Sequence, residues 1–210
     1  MSGPITDFEK TVSRAISLLD FFDTEPEIVE ADDILRASVT LAVAAYDHYF
    51  TSKFVDVLKA YLKKHSPNKE LVELLNRAGL NTRSALEIAV MKRPFRRIRS
   101  LLQSSLSEKT THRNKAIDGL FNALDLHGLA GRAQKDAGRN NLATRIDKLV
   151  DIRNSIVHCG HIDTRGNPKK ISSGDVRARI QEIKLFVETC DKIIDDWVKK
   201  RPELSVKSST

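Results

Sequence analysis

The sequence has few of the residues that hold secreted, repetitive or membrane-spanning proteins together. Only two cysteines, Cys159 and Cys190, occur among 210 residues, too few for a disulfide framework or a structural zinc site. Aromatic residues make up only 6%, and nine glycines and six prolines exclude collagen-like and low-complexity architectures. The longest apolar run, from Val39 to Ala45, is interrupted by Thr40, whereas a membrane-spanning helix needs about 18 apolar residues. We therefore expect a soluble protein with no membrane contact.

Several functional signals are also missing. Residues 1–4 lack the basic start and apolar stretch of a signal peptide, so we expect a cytoplasmic protein. No glycine-rich phosphate loop is present, which leaves P-loop ATP hydrolysis without support. His158, Cys159 and His161 lie close together, but a fourth ligand at a suitable spacing is missing. We therefore expect no metal ion and no cofactor.

Charge is spread unevenly along the chain. The net charge is −7 over residues 1–50, +11 over residues 51–150 and +3 over residues 151–210. A basic excess confined to the middle of the chain favours a polyanionic partner. Lysines and arginines that only solvate helix faces would give the same pattern. A chemical motif is needed to decide between the two interpretations.

Apolar residues recur at intervals of three and four along most of the chain, which is the spacing of amphipathic helices. The longest such pattern predicts one helix from Asp32 or Asp33 to a stop near Pro67, with acidic residues at its start, where they suit the helix dipole. A shorter helix is predicted over residues 8–22. These two helices account for the first third of the chain.

The middle of the chain is predicted to contain short helices. One follows Asn68 and ends near Gly79. Residues 84–126 are expected to hold two or three more, interrupted at Pro94 and by the Ser/Thr-rich stretch 104–111. No repeat, domain linker or convincing strand pattern occurs here or elsewhere.

Two longer helices are predicted near the C-terminus. Asn141 is expected to cap a helix that ends at Gly160, because glycine suits the left-handed stop of a helix. Ser172 or Ser173 opens the last helix, whose apolar spacing continues to Trp197. The predicted fold is thus an all-α bundle of about five to eight helices, with a long second helix, a short final loop and a long C-terminal helix. Residues 1–200 form a single domain in this prediction, and residues 201–210 form a flexible tail.

Chemically useful side chains are concentrated at the end of the predicted helix that precedes Gly160. Ile152 and Ile156 mark its core face, while Asn154 and His158, four residues apart, share another face. Arg153 lies five residues before His158 and therefore about 140° around the axis from it. Either the long arginine side chain swings across, or a second chain completes the site.

The run from Arg153 to His158, Arg-Asn-Ser-Ile-Val-His, matches the signature of the HEPN superfamily: an arginine, a polar residue that is often asparagine, three more residues and a histidine. The resemblance extends over about two thirds of the chain. The segment from Ile34 to His48 resembles the long early helix of stand-alone HEPN proteins in the RiboL-PSP subgroup, and the helix ending near Trp197 resembles their closing helix. A HEPN-like helical bundle is the fold that this resemblance implies.

The resemblance also implies metal-independent cleavage of RNA through the neighbouring 2′-hydroxyl. His158 suits proton transfer, which is typically worth about 10²- to 10⁴-fold in rate, because imidazole exchanges protons near neutral pH. Arg153 suits the stabilisation of negative charge on phosphorus, since its planar fork stays charged and binds two phosphate oxygens. Asn154 would orient the imidazole or hold the substrate. These three are the candidate catalytic residues.

In the family, two chains pair so that both motifs line one cleft, which implies a homodimer here. Arg36 and Asp47 share one stripe of the long helix, and Asp47 best matches a polar residue that family members often place near the motif. An exposed or ion-paired carboxylate is an equally good interpretation of Asp47. The densest run of positive charges, which we call the basic cluster, consists of Lys92, Arg93, Arg96, Arg97 and Arg99. These side chains could bind the backbone phosphates of an RNA. Basic residues that only solvate a helix face would give the same pattern.

Two functions remain open at this point. The first is an endoribonuclease that cuts cellular RNA as a toxin or antiphage-defence effector, with an antitoxin or another defence protein as a possible partner. The second is a catalytically silent HEPN module that binds RNA or a partner protein and only dimerises. The intact motif favours the first.

Overall fold

A single long helix organises the chain. The computed structural model describes residues 3–24, 31–107 and 113–200. Within these segments it contains no strand, and its helices are α1 (Pro4–Thr24), α2 (Ala31–Lys64), α3 (Lys69–Arg77), α4 (Thr82–Ala89), α5 (Pro94–Ser107), α6 (Asn114–Asn122), α7 (Leu129–Asp136), α8 (Leu142–Cys159) and α9 (Ser173–Lys200). The all-α prediction is confirmed, with one helix more than the expected maximum. None of these helices has the length and apolar character to cross a bilayer.

Helix α2 is buried on nearly every side because aromatic and aliphatic residues line several of its faces. Phe50 lies at its centre, with ring centroids 4.9 Å from Tyr49 and 5.0 Å from Tyr46, both in edge-on geometry. Helices α1, α5, α8 and α9 all pack on α2. Full burial of an aromatic side chain contributes about 1.5–3 kcal/mol, so this column of rings is a main source of stability.

Polar contacts fix α1 and α9 against the long helix. The Ser38 hydroxyl donates to the carbonyl oxygen of Ala15 at 2.8 Å in the buried α1–α2 contact. Lys53 of α2 reaches Asp191 and Asp195 of α9, with both nitrogen–oxygen distances 2.6 Å. Helix α8 packs on both α2 and α9, which these contacts hold together. The position of α8 is therefore set by α2 and α9.

The structure corrects three details of the predicted helices. Helix α5 continues through Ser107, so the first four residues of the Ser/Thr-rich stretch 104–111 are helical; burial of Leu102 and Leu106 outweighs the poor helix propensity of serine. Helix α7 was not predicted, since it is only eight residues long and contains a glycine. Asn141 precedes α8 but its side chain makes no capping bond, because its backbone is left-handed with φ 61°. The amide of Ala143 instead donates to Gln134 Oε1 at 3.2 Å.

The connection between α8 and α9 also differs from the prediction of a short final loop. It spans residues 160–172 and contains an isolated antiparallel bridge between Ile162 and Pro168. Ser172 opens α9 as predicted, since its hydroxyl accepts a hydrogen bond from the Asp175 amide at 3.3 Å. The predicted tail, residues 201–210, lies outside the described residues.

Candidate active site at the end of helix α8

The RNxxxH motif lies in the last two turns of α8. The helix stops because Gly160 adopts the left-handed conformation, with φ 65°, as the sequence predicted. Its amide donates to the carbonyl of Ile156 at 3.1 Å, and the amide of His161 donates to the carbonyl of Ser155 at 3.0 Å. These bonds close the helix one residue after Cys159. His158 is therefore fixed in a final turn whose backbone is well satisfied.

His158 and Arg153 occupy different environments. The imidazole is exposed and makes no hydrogen bond with any residue that the structure describes. The guanidinium is half-buried, and its Nη1 donates to Asn154 Oδ1 at 3.1 Å. Its Nε is fully buried and unpartnered among the described residues. Asn154 thus contacts the arginine rather than the histidine. Ile152 and Ile156 pack against the core as expected.

A buried polar cluster fixes the first half of α8. Asn114, at the start of α6, donates from its side-chain nitrogen to the Ala143 carbonyl at 2.7 Å and to Asp147 Oδ1 at 3.0 Å. Its side-chain oxygen accepts a hydrogen bond from the Tyr46 hydroxyl of α2 at 3.1 Å. Burial, together with nearby carboxylates, raises the pKa of Tyr46, so this hydroxyl keeps its proton. A satisfied network of this kind holds the motif-bearing helix in one orientation.

Arg36 connects the start of α2 to the segment after the motif. It is buried, and its Nη1 lies 2.7 Å from Asp33 Oδ1. Its Nη2 donates to the carbonyl oxygen of Lys169 at 2.9 Å. Lys169 in turn donates its amide to the carbonyl of His161 at 2.8 Å. We call residues 161–169 the hairpin loop, because this bond and the single bridge within it give it hairpin geometry.

His161 anchors the hairpin loop through burial. It is only 8% exposed and its φ is 55°. Burial lowers the pKa of His161 from its ordinary value, and the charges of Arg36 and Lys169 lower it further. The imidazole is therefore neutral at pH 7 and packs beside a permanent cation without repulsion.

The fold and the motif agree with a comparison against known families. A family model described as RiboL-PSP-HEPN matches residues 6–196. The chain belongs to the RiboL-PSP-HEPN family. The match includes α2 and the whole of α8, and it confirms the predicted superfamily and subgroup. No curated protein and no solved structure matches the chain. Membership of a HEPN family favours a nuclease or RNA-binding role.

The two supporting candidates, Arg36 and Asp47, lie at different positions along α2 in this HEPN domain. Helices α2 and α8 run antiparallel, because Arg36 lies beside the loop after α8 whereas Tyr46 lies beside its first turns, through Asn114. Asp47 is half-buried next to Tyr46, eleven residues from Arg36 and about 16 Å farther along the helix. The structure thus brings Arg36 to the loop at the motif end of α8, whereas Asp47 lies about three helical turns farther along α2.

The basic cluster lies far from the motif in this HEPN domain. Its side chains are all exposed: Lys92, Arg93, Arg96, Arg97 and Arg99. Arg99 forms an ion pair with Asp56 of α2, with 2.8 Å between Nη2 and Oδ1. Asp56 is twenty residues beyond Arg36, which corresponds to about 30 Å along a helix. Within one chain, the cluster and His158 therefore belong to opposite ends of the long helix.

Sequence reasoning missed three cations in the segment that follows the motif. Arg165 and Lys169 belong to the hairpin loop and Lys170 follows it, and all three side chains are exposed. In sequence they are scattered among turn residues, whereas the five residues of the basic cluster are almost contiguous. The turn residues Asp163 and Gly166 were a signal for a tight loop, but not for its attachment to α2 through Arg36.

Proposed function

We propose that this HEPN domain is a metal-independent endoribonuclease that cuts RNA by attack of the 2′-hydroxyl on the adjacent phosphorus. The observation that carries the proposal is the placement of His158, exposed in the last turn of α8, five residues after an arginine whose fork is positioned by Asn154. An accessible proton carrier and an oriented, permanently charged guanidinium are two of the groups that this reaction requires.

Each group has a defined task in the reaction. His158 accepts the proton of the 2′-hydroxyl while the 2′-oxygen bonds to phosphorus. Arg153 stabilises the extra negative charge on the non-bridging oxygens through its Nη atoms. The bond to the 5′-oxygen then breaks, and that oxygen takes up a proton. The products are a 2′,3′-cyclic phosphate and a free 5′-hydroxyl, and the nucleophile restricts the reaction to RNA.

Pairing of two chains would supply the second proton-transfer group. Val157 and Ile162 flank the exposed histidine and are themselves 50% and 44% exposed. Large apolar side chains exposed next to a functional motif are typical of an interface. In a homodimer of the kind that the family implies, two copies of His158 face one cleft, where one serves as base and the other as acid.

The biological role that fits this activity is that of a toxin or antiphage-defence effector acting on cellular RNA. Such an enzyme damages its own host when unrestrained, so an antitoxin or another defence protein would hold it inactive. The family membership and the motif support this role, and a cytoplasmic location follows from an RNA substrate inside the cell.

One observation favours a catalytically silent module as the second candidate. Arg153 already uses one Nη atom on Asn154 and is half-buried, so only part of its fork faces outward. A module in this state would bind RNA or a partner protein without cleaving it.

Cleavage of a mixed RNA substrate by the purified chain, with EDTA present, tests the proposal. We expect products with 2′,3′-cyclic phosphate ends, and a loss of about 10²-fold or more in rate for His158→Ala and for Arg153→Ala. His127→Ala is the matched control, because His127 is also an exposed histidine and lies away from α8, in the turn before α7. Intact folding with no cleavage of any RNA would establish the silent module instead.

A further inference from the structure

The hairpin loop is built as a rigid unit. Asp163 donates its amide to the Asn167 carbonyl at 2.8 Å, and its carboxylate accepts the amides of Arg165 and Asn167 at 2.8 and 2.9 Å. Gly166 turns the chain with φ 83° and donates to the Asp163 carbonyl at 3.1 Å. One aspartate thus organises the tip of the loop.

The base of the loop is attached to both α8 and α2. On one side, the His161 amide bonds to the Ser155 carbonyl inside the motif. On the other side, Arg36 of α2 donates to the Lys169 carbonyl. These bonds hold the backbone of the loop and the last turn of α8, which carries His158, together as one body.

The cations of this body are free to bind a ligand. Arg165, Lys169 and Lys170 are exposed and form no ion pair with any described residue. Arg113, by contrast, pairs with Asp151, with 2.5 Å between Nη2 and Oδ1. With the Asp163 carboxylate, which interacts electrostatically with Lys169, these three cations still leave the segment after the motif with a net positive charge that attracts a polyanion.

We propose that Arg165 and Lys169 of the hairpin loop, together with Lys170 directly after it, bind the RNA phosphates that flank the cleaved bond. This inference rests on RNA as the ligand of the proposed function and assigns the place where its backbone is held. Rigid attachment is what the task needs, because a backbone fixed next to His158 positions the scissile phosphate. The basic cluster around α5 lies about 30 Å away along α2 and cannot do this in the same chain.

Binding of a labelled single-stranded RNA of about 12 nucleotides to the full chain tests the proposal. His158→Ala is used as the background, so the RNA is not cut during the measurement. The variant Arg165→Gln/Lys169→Gln/Lys170→Gln removes the three loop charges without touching the loop's backbone bonds. The matched control, Arg132→Gln/Lys135→Gln/Arg139→Gln, removes three exposed, unpaired charges at α7. A third variant, Arg93→Gln/Arg96→Gln/Arg97→Gln, represents the rival site at α5.

We expect the loop variant to lose about tenfold or more in affinity, and the slope of log affinity against log salt to flatten by about 2, the value for three phosphate contacts on a single strand. The α7 control should change both quantities much less. A loop variant that binds like the α7 control, or a larger loss in the α5 variant, overturns the proposal. A wild-type chain that binds no RNA also overturns it.

Measuring RNA binding and RNA cleavage separately distinguishes a failure of the loop site from a failure of the proposed endoribonuclease. Loop-dependent binding by a chain that never cleaves RNA supports the loop site and refutes the endoribonuclease. Cleavage by the wild-type chain together with unchanged binding by the loop variant supports the endoribonuclease and refutes the loop site.

Discussion

At the scale of single residues, the motif combines an accessible side chain, His158, with a side chain held in position, Arg153. His158 is exposed and has no hydrogen-bond partner among the residues that the structure describes, whereas Arg153 is half-buried and bonded to Asn154. This division explains why an asparagine after the arginine is useful: its carbonyl oxygen holds one arm of the guanidinium in place. The shape of the arginine fork, and not only its charge, should therefore matter.

Arg153→Lys tests that conclusion. Lysine keeps the positive charge but loses the planar fork, so it cannot bond Asn154 and two phosphate oxygens together. We expect RNA cleavage to fall about 10²-fold while the free energy of unfolding changes by less than about 1 kcal/mol. Arg132→Lys, at an exposed and unpaired position in α7, should leave the rate unchanged. Wild-type activity in Arg153→Lys would contradict a role for the fork.

The buried imidazole of His161 predicts a specific dependence of stability on pH. Its pKa is lowered in the folded chain from an ordinary value of 6.5, so below that pH the unfolded chain binds a proton that the folded chain resists. Stability is fully present above pH 6.5 and falls as the pH drops below it, by at most about 1.4 kcal/mol per pH unit, until the folded pKa is reached.

His161→Asn provides the comparison for this prediction. Asparagine tolerates the left-handed backbone at this position and does not titrate. Free energies of unfolding from urea titrations between pH 7.5 and 5 should fall more steeply for the wild-type chain than for the variant. Parallel curves would show that His161 does not resist protonation.

At the scale of elements, the sequence predicts helices well wherever burial is periodic. The positions of α2, α8 and α9 follow from apolar spacing, and the end of α8 follows from Gly160, because only local chemistry is involved. The details that failed depend on neighbours. Asn141 does not cap α8 since Gln134 from α7 takes that role, and the hairpin loop owes its attachment to Arg36, more than 130 positions earlier. Contacts between distant segments are not readable from periodicity.

Arg36 should control the hairpin loop at this scale. In Arg36→Met the bond to the Lys169 carbonyl is lost while much of the buried volume remains. We expect hydrogen exchange at the amides of Lys169 and His161 to accelerate by about tenfold or more, because the loop opens locally at lower cost. Arg179→Met is the control, since Arg179 also donates to a backbone carbonyl, that of Arg145 at 3.1 Å. Equal exchange in both variants would mean that the loop holds itself without α2.

At the scale of the whole molecule, net charge is a poor guide to the site. The excess of +11 over residues 51–150 directs attention to the basic cluster, yet the motif lies near the other end of α2, where only a few cations surround it. The motif itself could be found from sequence because its residues are consecutive on one helix. The three cations after it form no dense run in the sequence, and only the fold shows that Arg36 and the last turn of α8 hold the loop in which two of them lie.

Pairing of two chains is the last property to test, and Val157 offers the sharpest probe. Val157→Asp places a charge where an apolar surface would be buried, so the dimer should dissociate and cleavage should fall with it. Val90→Asp is the matched control, because Val90 is 86% exposed at the end of α4, away from the motif. Sedimentation equilibrium and RNA cleavage measured on the same samples decide the matter. A Val157→Asp chain that is monomeric but fully active would show that one His158 suffices and that the second chain is not part of the active site.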